Sequence, residues 1–147
     1  MAGFDHPLAD AARREVIALH AAFEAWLGGS GPATDAAFAR IEAALAPSFS
    51  MVGPDGAAHA RGAVIAALRA AHGAKGRRGP FRIGIAEVEL LHLEPPLAVL
   101  RYVEDQRQGD ARTSRRSMAL FRASGRAPAG VEWLTVHETW VAGGQPA

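Results

Sequence analysis

Hydrophobic residues in the first half of the chain recur every three or four positions, the period of a helix with one buried face. The first stripe runs from Leu8 to Trp26 or Leu27, and the GGSGP segment ends it. Thr34 or Asp35 caps a second helix, which Pro47 stops and whose stripe is Phe38, Ile41 and Leu45. A third helix is predicted from Gly62 to His72, with Val64, Ile65 and Leu68 facing inward.

Strand-like patterns occupy most of the remaining chain. A short hairpin is expected where SFSMV, a GPDG turn and AAHA follow one another. After the third helix, four long strands are predicted: Phe81 to Leu93, Leu97 to Gln108, Arg112 to Ala123 and Val131 to Val141. Helices followed by a run of antiparallel strands are the order of an α+β fold.

The first long strand changes its alternation part-way along. Phe81, Ile83 and Ile85 share one parity, whereas Val88 and Leu90 take the other. One extra residue near Ala86 or Glu87 explains the change as a β-bulge, and a bulge bends its strand. A bent strand curves the sheet, and a curved sheet with helices on its concave side encloses a space.

Side-chain complementarity predicts the pairing of the last two strands. Arg122 opposite Glu132 and Arg116 opposite Glu138 form two opposite-charge pairs on one face. In the same register, Leu120 opposes Leu134 and Met118 opposes Val136 between the charges, while the other face pairs Phe121 with Trp133, Ala119 with Thr135, Ser117 with His137 and Arg115 with Thr139. A slip of one residue would exchange the faces.

The preceding hairpin is predicted to turn at Gly109 and Asp110, because glycine suits the first central position of a two-residue type II′ turn. That turn pairs Tyr102 with Ser117, Glu104 with Arg115, and Leu100 with Ala119. The two hairpins together place Tyr102, Ser117 and His137 in one row across three strands.

This row predicts a pocket. The expected ligand-binding residues are Tyr102, Glu104, Arg115, Ser117, Phe121, Trp133, Thr135 and His137, and His137 is also the candidate catalytic group. Three roles stay open for His137: a structural histidine bonded to Ser117 or Tyr102, a ligand contact, or an acid–base catalyst. His20 and His72 lie on predicted helices, where packing or solvent exposure is expected.

Composition narrows the class of protein. The 147 residues suit one domain over 1–147, with flexible tails at 1–7 and 142–147. The net charge of +1 gives no indication of nucleic-acid binding. No segment is apolar enough to span a membrane or to act as a signal peptide, so a cytoplasmic location is expected. The chain has no cysteine and its six histidines lack close ligand spacing, so neither a metal nor a cofactor is expected.

Several motifs carry a resemblance to a known family. Two helices precede F-x-M-V-x-P-D-G at Phe49 to Gly56, a helix opens at Arg61 and Gly62, and the last strand reads W-x-x-V-H-x-x-W. This order resembles the nuclear transport factor 2-like superfamily, in its SnoaL-like and calcium/calmodulin-kinase association-domain-like branch, over roughly Ala9 to Val141. The resemblance implies a cystatin-like cone-shaped barrel, with three helices on the concave face of a mainly antiparallel sheet. Many members of the branch carry a second histidine on the last strand, where this chain has Thr139.

The superfamily includes isomerases, dehydratases, cyclases, hydrolases and plain binding or assembly domains, so the resemblance leaves function open. The leading hypothesis is a domain that binds a small, mostly apolar molecule and forms a homodimer through the outer sheet face, at Met118, Leu120, Leu134 and Val136. One alternative is a cofactor-independent acid–base enzyme that uses His137, Tyr102 and Glu104. The other alternative is an assembly module with a vestigial pocket.

Overall fold

A computed structural model of the chain describes residues 3–147. Its elements in chain order are α1 Pro7–Gly28, α2 Asp35–Glu42, β1 Leu45–Val52, β2 Ala58–Ala60, α3 Arg61–Ala70, a 3-10 turn Gly76–Arg78, β3 Phe81–Glu94, β4 Leu97–Gln108, β5 Ala111–Ala123 and β6 Val131–Trp140. The three helices, the short hairpin and the four long strands predicted from the sequence are all present. Met1 and Ala2, which belong to the N-terminal tail expected at 1–7, lie outside the described residues.

Local signals in the sequence set the helix ends. The Nδ1 atom of His6 accepts a hydrogen bond from the Leu8 amide at the start of α1. The helix ends at Gly28 and is capped by Gly29, whose φ of 77° is the left-handed conformation that glycine tolerates. Thr34 caps α2 by accepting from the Ala37 amide. The α2 helix ends at Glu42, earlier than predicted, because Leu45 already belongs to β1.

The sheet has six strands in the order β2-β1-β6-β5-β4-β3. The β1–β6 contact is parallel and the other four are antiparallel. The β3 strand contains the predicted bulge, since Glu87 has a φ of 53° and the pairing with β4 shifts between Ala86 and Glu89. The fold is α+β, with the helices packed on the concave face of the curved sheet.

The β4–β5 hairpin has the predicted register. Gly109 adopts a φ of 59°, as the first position of the proposed turn requires. Tyr102 lies opposite Ser117, Glu104 opposite Arg115, and Leu100 opposite Ala119.

The predicted β5–β6 register is wrong beyond its first pairs. Arg122 opposes Glu132 and Phe121 opposes Trp133, but a register shift follows, and Thr135 then opposes Leu120. Leu134 is the extra residue of this bulge, so every later residue of β6 is displaced by one position. The displacement exchanges the two faces of the strand.

The exchange corrects three predicted positions. His137 opposes Met118 instead of Ser117, and its side chain is exposed on the outer face. Glu138 takes the place predicted for His137, opposite Ser117, and is buried. Val136 is buried on the inner side, so it does not belong to the outer apolar surface.

The core lies between α1, α2 and the inner face of the sheet. It includes Val16 and Leu19 of α1, Phe38 of α2, and the sheet residues Leu100, Tyr102, Phe121 and Trp133. Glu15 is also fully buried there; its carboxylate accepts from Arg40 Nη2 at 2.5 Å and from Trp133 Nε1 at 3.1 Å. Among residues 3–147, no helix has both the length and the apolar character needed to cross a bilayer.

Candidate functional site

A cavity of about 310 Å³ lies between α1, α3 and the inner face of the sheet. Most of its wall is apolar and includes Leu19, Phe23, Phe49, Met51, Val64 and Ile83. Polar groups converge at the sheet side, where Glu104, Arg115 and Glu138 meet His20 of α1. This combination of size, apolar lining and a few polar groups is typical of small-molecule sites.

Four of the predicted pocket residues line the cavity: Tyr102, Glu104, Arg115 and Trp133. Ser117 is buried behind the wall and donates a hydrogen bond to Glu138 Oε2 at 2.9 Å. Phe121 is fully buried and packs on Trp133 with ring centroids 4.5 Å apart. Ser117 and Phe121 therefore support the wall without lining it.

The remaining two predicted residues lie away from the cavity. Thr135 donates its hydroxyl to the Ser50 carbonyl oxygen at 2.9 Å, at the contact between β6 and β1. His137 lies on the opposite side of the sheet from Tyr102, so the placement on which its ligand and catalytic roles rested is wrong. The bulge at Leu134 is the physical cause, because it turns His137 outward.

His20 and Glu104 form a buried pair in the wall. The Nδ1 atom of His20 lies 2.7 Å from the Val16 carbonyl oxygen, which can only accept, so Nδ1 carries a proton. The Nε2 atom lies 3.2 Å from Glu104 Oε1. Because an ionised carboxylate also only accepts, the contact places a proton on Nε2 and makes His20 an imidazolium whenever Glu104 is ionised.

The charges of this pair stabilise each other. Burial alone would raise the pKa of Glu104, but the hydrogen bond and charge of His20, with Arg115 and a 2.6 Å bond from Gln106, lower it from 4.5 to about 2. Burial would lower the pKa of His20, but the hydrogen bond and charge of Glu104 raise it above 6.5. The wall therefore holds a fixed ion pair.

Glu138 has a different environment from Glu104. Burial and the nearby Glu104 carboxylate raise the pKa of Glu138 above 4.5, while Arg115 and Ser117 partly offset the rise. The pKa values of the two carboxyl groups in this pocket are thus shifted in opposite directions. Glu104 is held ionised, whereas Glu138 accepts a proton more readily. Tyr102 cannot share this role, because burial and the Glu104 charge raise the pKa of its phenol well above 10.0.

Sequence reasoning missed His20 and Glu138. His20 lies one position after Leu19 on the buried stripe of α1, and this position alone favoured a packing role. Its pairing with Glu104 depends on how α1 docks on β4, 84 residues away in the chain. Glu138 was assigned to the outer face by an alternation that the bulge interrupts. Residues 3–147 contain no group of three or more histidine or acidic side chains arranged to hold a metal ion.

The chain matches one known protein family over most of its length. The family described as sucrose-6-phosphate phosphohydrolase C-terminal matches residues 12–142. The chain belongs to this family. No protein with a curated function shows significant sequence similarity to it.

Solved structures show that the family fold is that of the nuclear transport factor 2-like superfamily, as predicted. An NTF2-like protein of unknown function from Pseudomonas aeruginosa is 29% identical, with a TM-score of 0.79 over 89% of this chain and 98% of that chain. A scytalone dehydratase-like protein from Novosphingobium aromaticivorans is 9% identical, with a TM-score of 0.66 over 90% and 83% of the two chains. The CaMKII hub of S. rosetta is also 9% identical, with a TM-score of 0.60 over 92% and 95%. The last two likenesses concern the fold alone.

Proposed function

We propose that this chain is a small-molecule-binding domain whose pocket takes a mostly apolar molecule with one polar end. The observation that carries the proposal is the cavity of about 310 Å³, whose apolar walls converge on His20, Glu104, Arg115 and Glu138. An assembly module with a vestigial pocket would have filled this space with side chains. The cavity therefore supports a binding role over a purely structural one.

The chemistry of the walls argues against a sugar phosphate, the ligand that the name of the family suggests. A sugar needs many hydrogen-bonding partners, whereas most of this wall is apolar. A phosphate monoester carries a charge of about −1.5 to −2 at neutral pH. It would meet Glu104 and Glu138 with Arg115 as the one cation not already paired, so its second charge would stay unbalanced. The pocket thus suits a less polar ligand than a sugar phosphate.

Filling the cavity tests the binding role. Ala66 and Ala67 on α3 are both exposed, but only Ala67 lines the cavity. We expect Ala67→Trp to abolish binding of small aromatic probes such as benzyl alcohol, which wild type should report by a change in tryptophan emission because Trp133 forms part of the wall. Ala66→Trp is the matched control and should bind normally. Equal binding by the two variants would refute the proposal.

Acid–base catalysis is the second candidate function, and the separation of the two glutamate environments favours it. Glu138 would exchange a proton with the substrate, while the His20–Glu104 pair would supply a fixed field beside it. A direct test is deuterium exchange next to the carbonyl of cyclohexanone in heavy water, followed by NMR. Glu138→Gln should slow the enzyme-dependent exchange by about 100-fold or more, and His137→Ala should leave it unchanged. An equal rate for Glu138→Gln and wild type would exclude this role.

We also propose a homodimer through the outer face of the sheet. Three of the residues first assigned to that surface remain available: Met118 is 49% exposed, and Leu120 and Leu134 are half-buried. An exposed methionine between apolar neighbours favours association. We expect Met118→Glu to convert dimers to monomers in light scattering, with Ala66→Glu, exposed on α3 and not on this face, as the control. A monomeric wild type at micromolar concentration would contradict this proposal.

A further inference from the structure

Arg115 is the charged group of the cavity wall whose bonding is least complete. It lies opposite Glu104 across β4 and β5, and its guanidinium sits 4.9 Å from the centre of the Trp140 ring. Within residues 3–147, its buried Nε has no hydrogen-bond partner. Its Nη1 is 3.7 Å from Glu138 Oε1, which is too far for a hydrogen bond. A guanidinium with unused donors in an apolar pocket is a ready partner for a ligand.

The balance of charge in the wall points to the kind of ligand. His20 and Glu104 neutralise each other at 3.2 Å, which leaves Arg115 and Glu138. Glu138 faces the Glu104 carboxylate from β4, Arg115 and Ser117 from β5, and the His20 charge from α1, while His59 of β2 is exposed at the rim of the cavity. When Glu138 holds a proton, Arg115 is left with a positive charge that nothing else in this wall offsets.

A carboxylate satisfies this arrangement better than other head groups. Its two oxygens match the fork of donors on a guanidinium, and such charge-assisted pairs are the stronger hydrogen bonds in proteins. A protonated Glu138 can donate to the same carboxylate, as two carboxyl groups do when they share one proton. An ammonium group could pair with an ionised Glu138, but it would add a third positive charge beside Arg115 and the His20 imidazolium.

We propose that the ligand is a small apolar carboxylic acid whose carboxylate binds Arg115, and that Glu138 takes up one proton from solvent as the ligand binds. This inference rests on the proposed binding function and names the ligand class for the same pocket. The apolar walls would hold the ring or short chain of the acid. One cation and one added proton then balance the ligand carboxylate and the Glu138 carboxylate.

Calorimetry with matched probes tests the inference. Benzoate and benzyl alcohol have similar shapes, but only benzoate carries the carboxylate. We expect wild type to bind benzoate more tightly, with uptake of nearly one proton when titrations in buffers of different ionisation enthalpy are compared. As pH rises above the Glu138 pKa of the free protein, benzoate affinity should fall towards about tenfold per pH unit, while benzyl alcohol affinity should stay flat.

Two variants separate the roles of the residues. Arg115→Met should weaken benzoate binding at least about tenfold more than it weakens benzyl alcohol binding, because only benzoate presents a carboxylate to the guanidinium. Arg115→Lys, which keeps the charge, should retain part of the benzoate affinity, and the near-ultraviolet circular dichroism of both should match wild type. Glu138→Gln resembles the protonated acid, so it should keep benzoate binding but lose both the proton uptake and the pH dependence.

The possible failures are distinguishable. Equal binding of the two probes, with no effect of Arg115→Met on benzoate, would overturn the carboxylate inference and leave the binding pocket standing. Benzoate binding without proton uptake would overturn the role of Glu138. Binding of neither probe up to about 10 mM would count against the pocket proposal itself. If Arg115→Met fails to fold, the Arg115→Lys and Glu138→Gln results decide the question.

Discussion

The Nε2 atom of His20 lies 3.2 Å from Glu104 Oε1, and this contact ties α1 to β4 inside the cavity wall. Both side chains are almost fully buried, with 5% and 6% of their surface exposed. Because water has little access to either side chain, each charge is stabilised mainly by the other. Loss of either charge therefore leaves the remaining one without compensation.

Removal of His20 should therefore be costly. We expect His20→Ala to reduce the free energy of unfolding by about 3–5 kcal/mol, because Glu104 would stay buried without its cation. Urea unfolding measures the change. The matched control is His137→Ala on the exposed outer face, which should change stability by less than about 0.5 kcal/mol. Similar losses in the two variants would contradict the buried pair.

The His20–Glu104 pair should also make the free energy of unfolding decrease at acid pH. The pKa of Glu104 falls from 4.5 to about 2 on folding, so its stabilisation is complete above pH 4.5 and is lost as pH falls towards 2. The shift corresponds to roughly 3 kcal/mol. In urea titrations at successive pH values, the free energy of unfolding of Glu104→Gln should depend less on pH in this acid range than that of wild type. A variant with the same pH dependence as wild type would show that another carboxyl group dominates it.

Stability should decline again on the alkaline side. The pKa of folded His20 lies above 6.5, so its contribution is complete below pH 6.5 and is lost as pH rises through the raised pKa. Loss of the His20 proton can be followed by NMR of the imidazole. A His20 that titrates below 6.5 would contradict the assigned imidazolium.

Glu138 should act against stability at neutral pH. Its folded pKa lies above 4.5, so folding favours the protonated acid, and this contribution is lost as pH rises through the folded value. Glu138→Gln, which is always neutral, should therefore gain stability relative to wild type as pH rises from 4.5 through the folded pKa of Glu138. Thermal unfolding at several pH values measures the trend. A gain that does not grow with pH would argue against a raised pKa.

Glu15 positions the tryptophan of the pocket wall. Its carboxylate accepts from Trp133 Nε1 at 3.1 Å and from Arg40 at 2.5 Å. We expect Glu15→Ala to cost about 2–3 kcal/mol, since hydrogen bonds to a charged group are lost and the indole N–H is left buried. The variant should also weaken benzyl alcohol binding at matched folded fraction. Substitution of Arg40 by Met should cost at least as much, about 3–5 kcal/mol, because the fully buried Glu15 carboxylate would lose its cation.

The hairpin registers show why sequence reasoning succeeded in one place and failed in another. A two-residue turn at Gly109 and Asp110 gives one register for β4 and β5, and every pair follows from it. The alternative was a longer loop at Gly109, which the pairing of Gln108 with Ala111 excludes. No such short turn joins β5 to β6, and the charge pattern fitted an unbroken alternation well. Arg122 does pair with Glu132, but Arg116 lies 3.9 Å from Glu87 of β3 instead of pairing with Glu138. A prediction based on β5 and β6 alone could not take account of Glu87, because that partner of Arg116 lies on β3.

The bulge at Leu134 also affects how relatives of this chain are to be aligned. Because of the extra residue, the inward-facing acid comes five positions after Trp133, whereas in a strand of regular alternation it would come four positions after. For a relative whose last strand alternates regularly, an alignment without a gap at Leu134 would equate Glu138 with an outward-facing residue, and would equate the inward-facing group of that relative with His137. Transfer of pocket residues to such a relative therefore requires a gap at this single position.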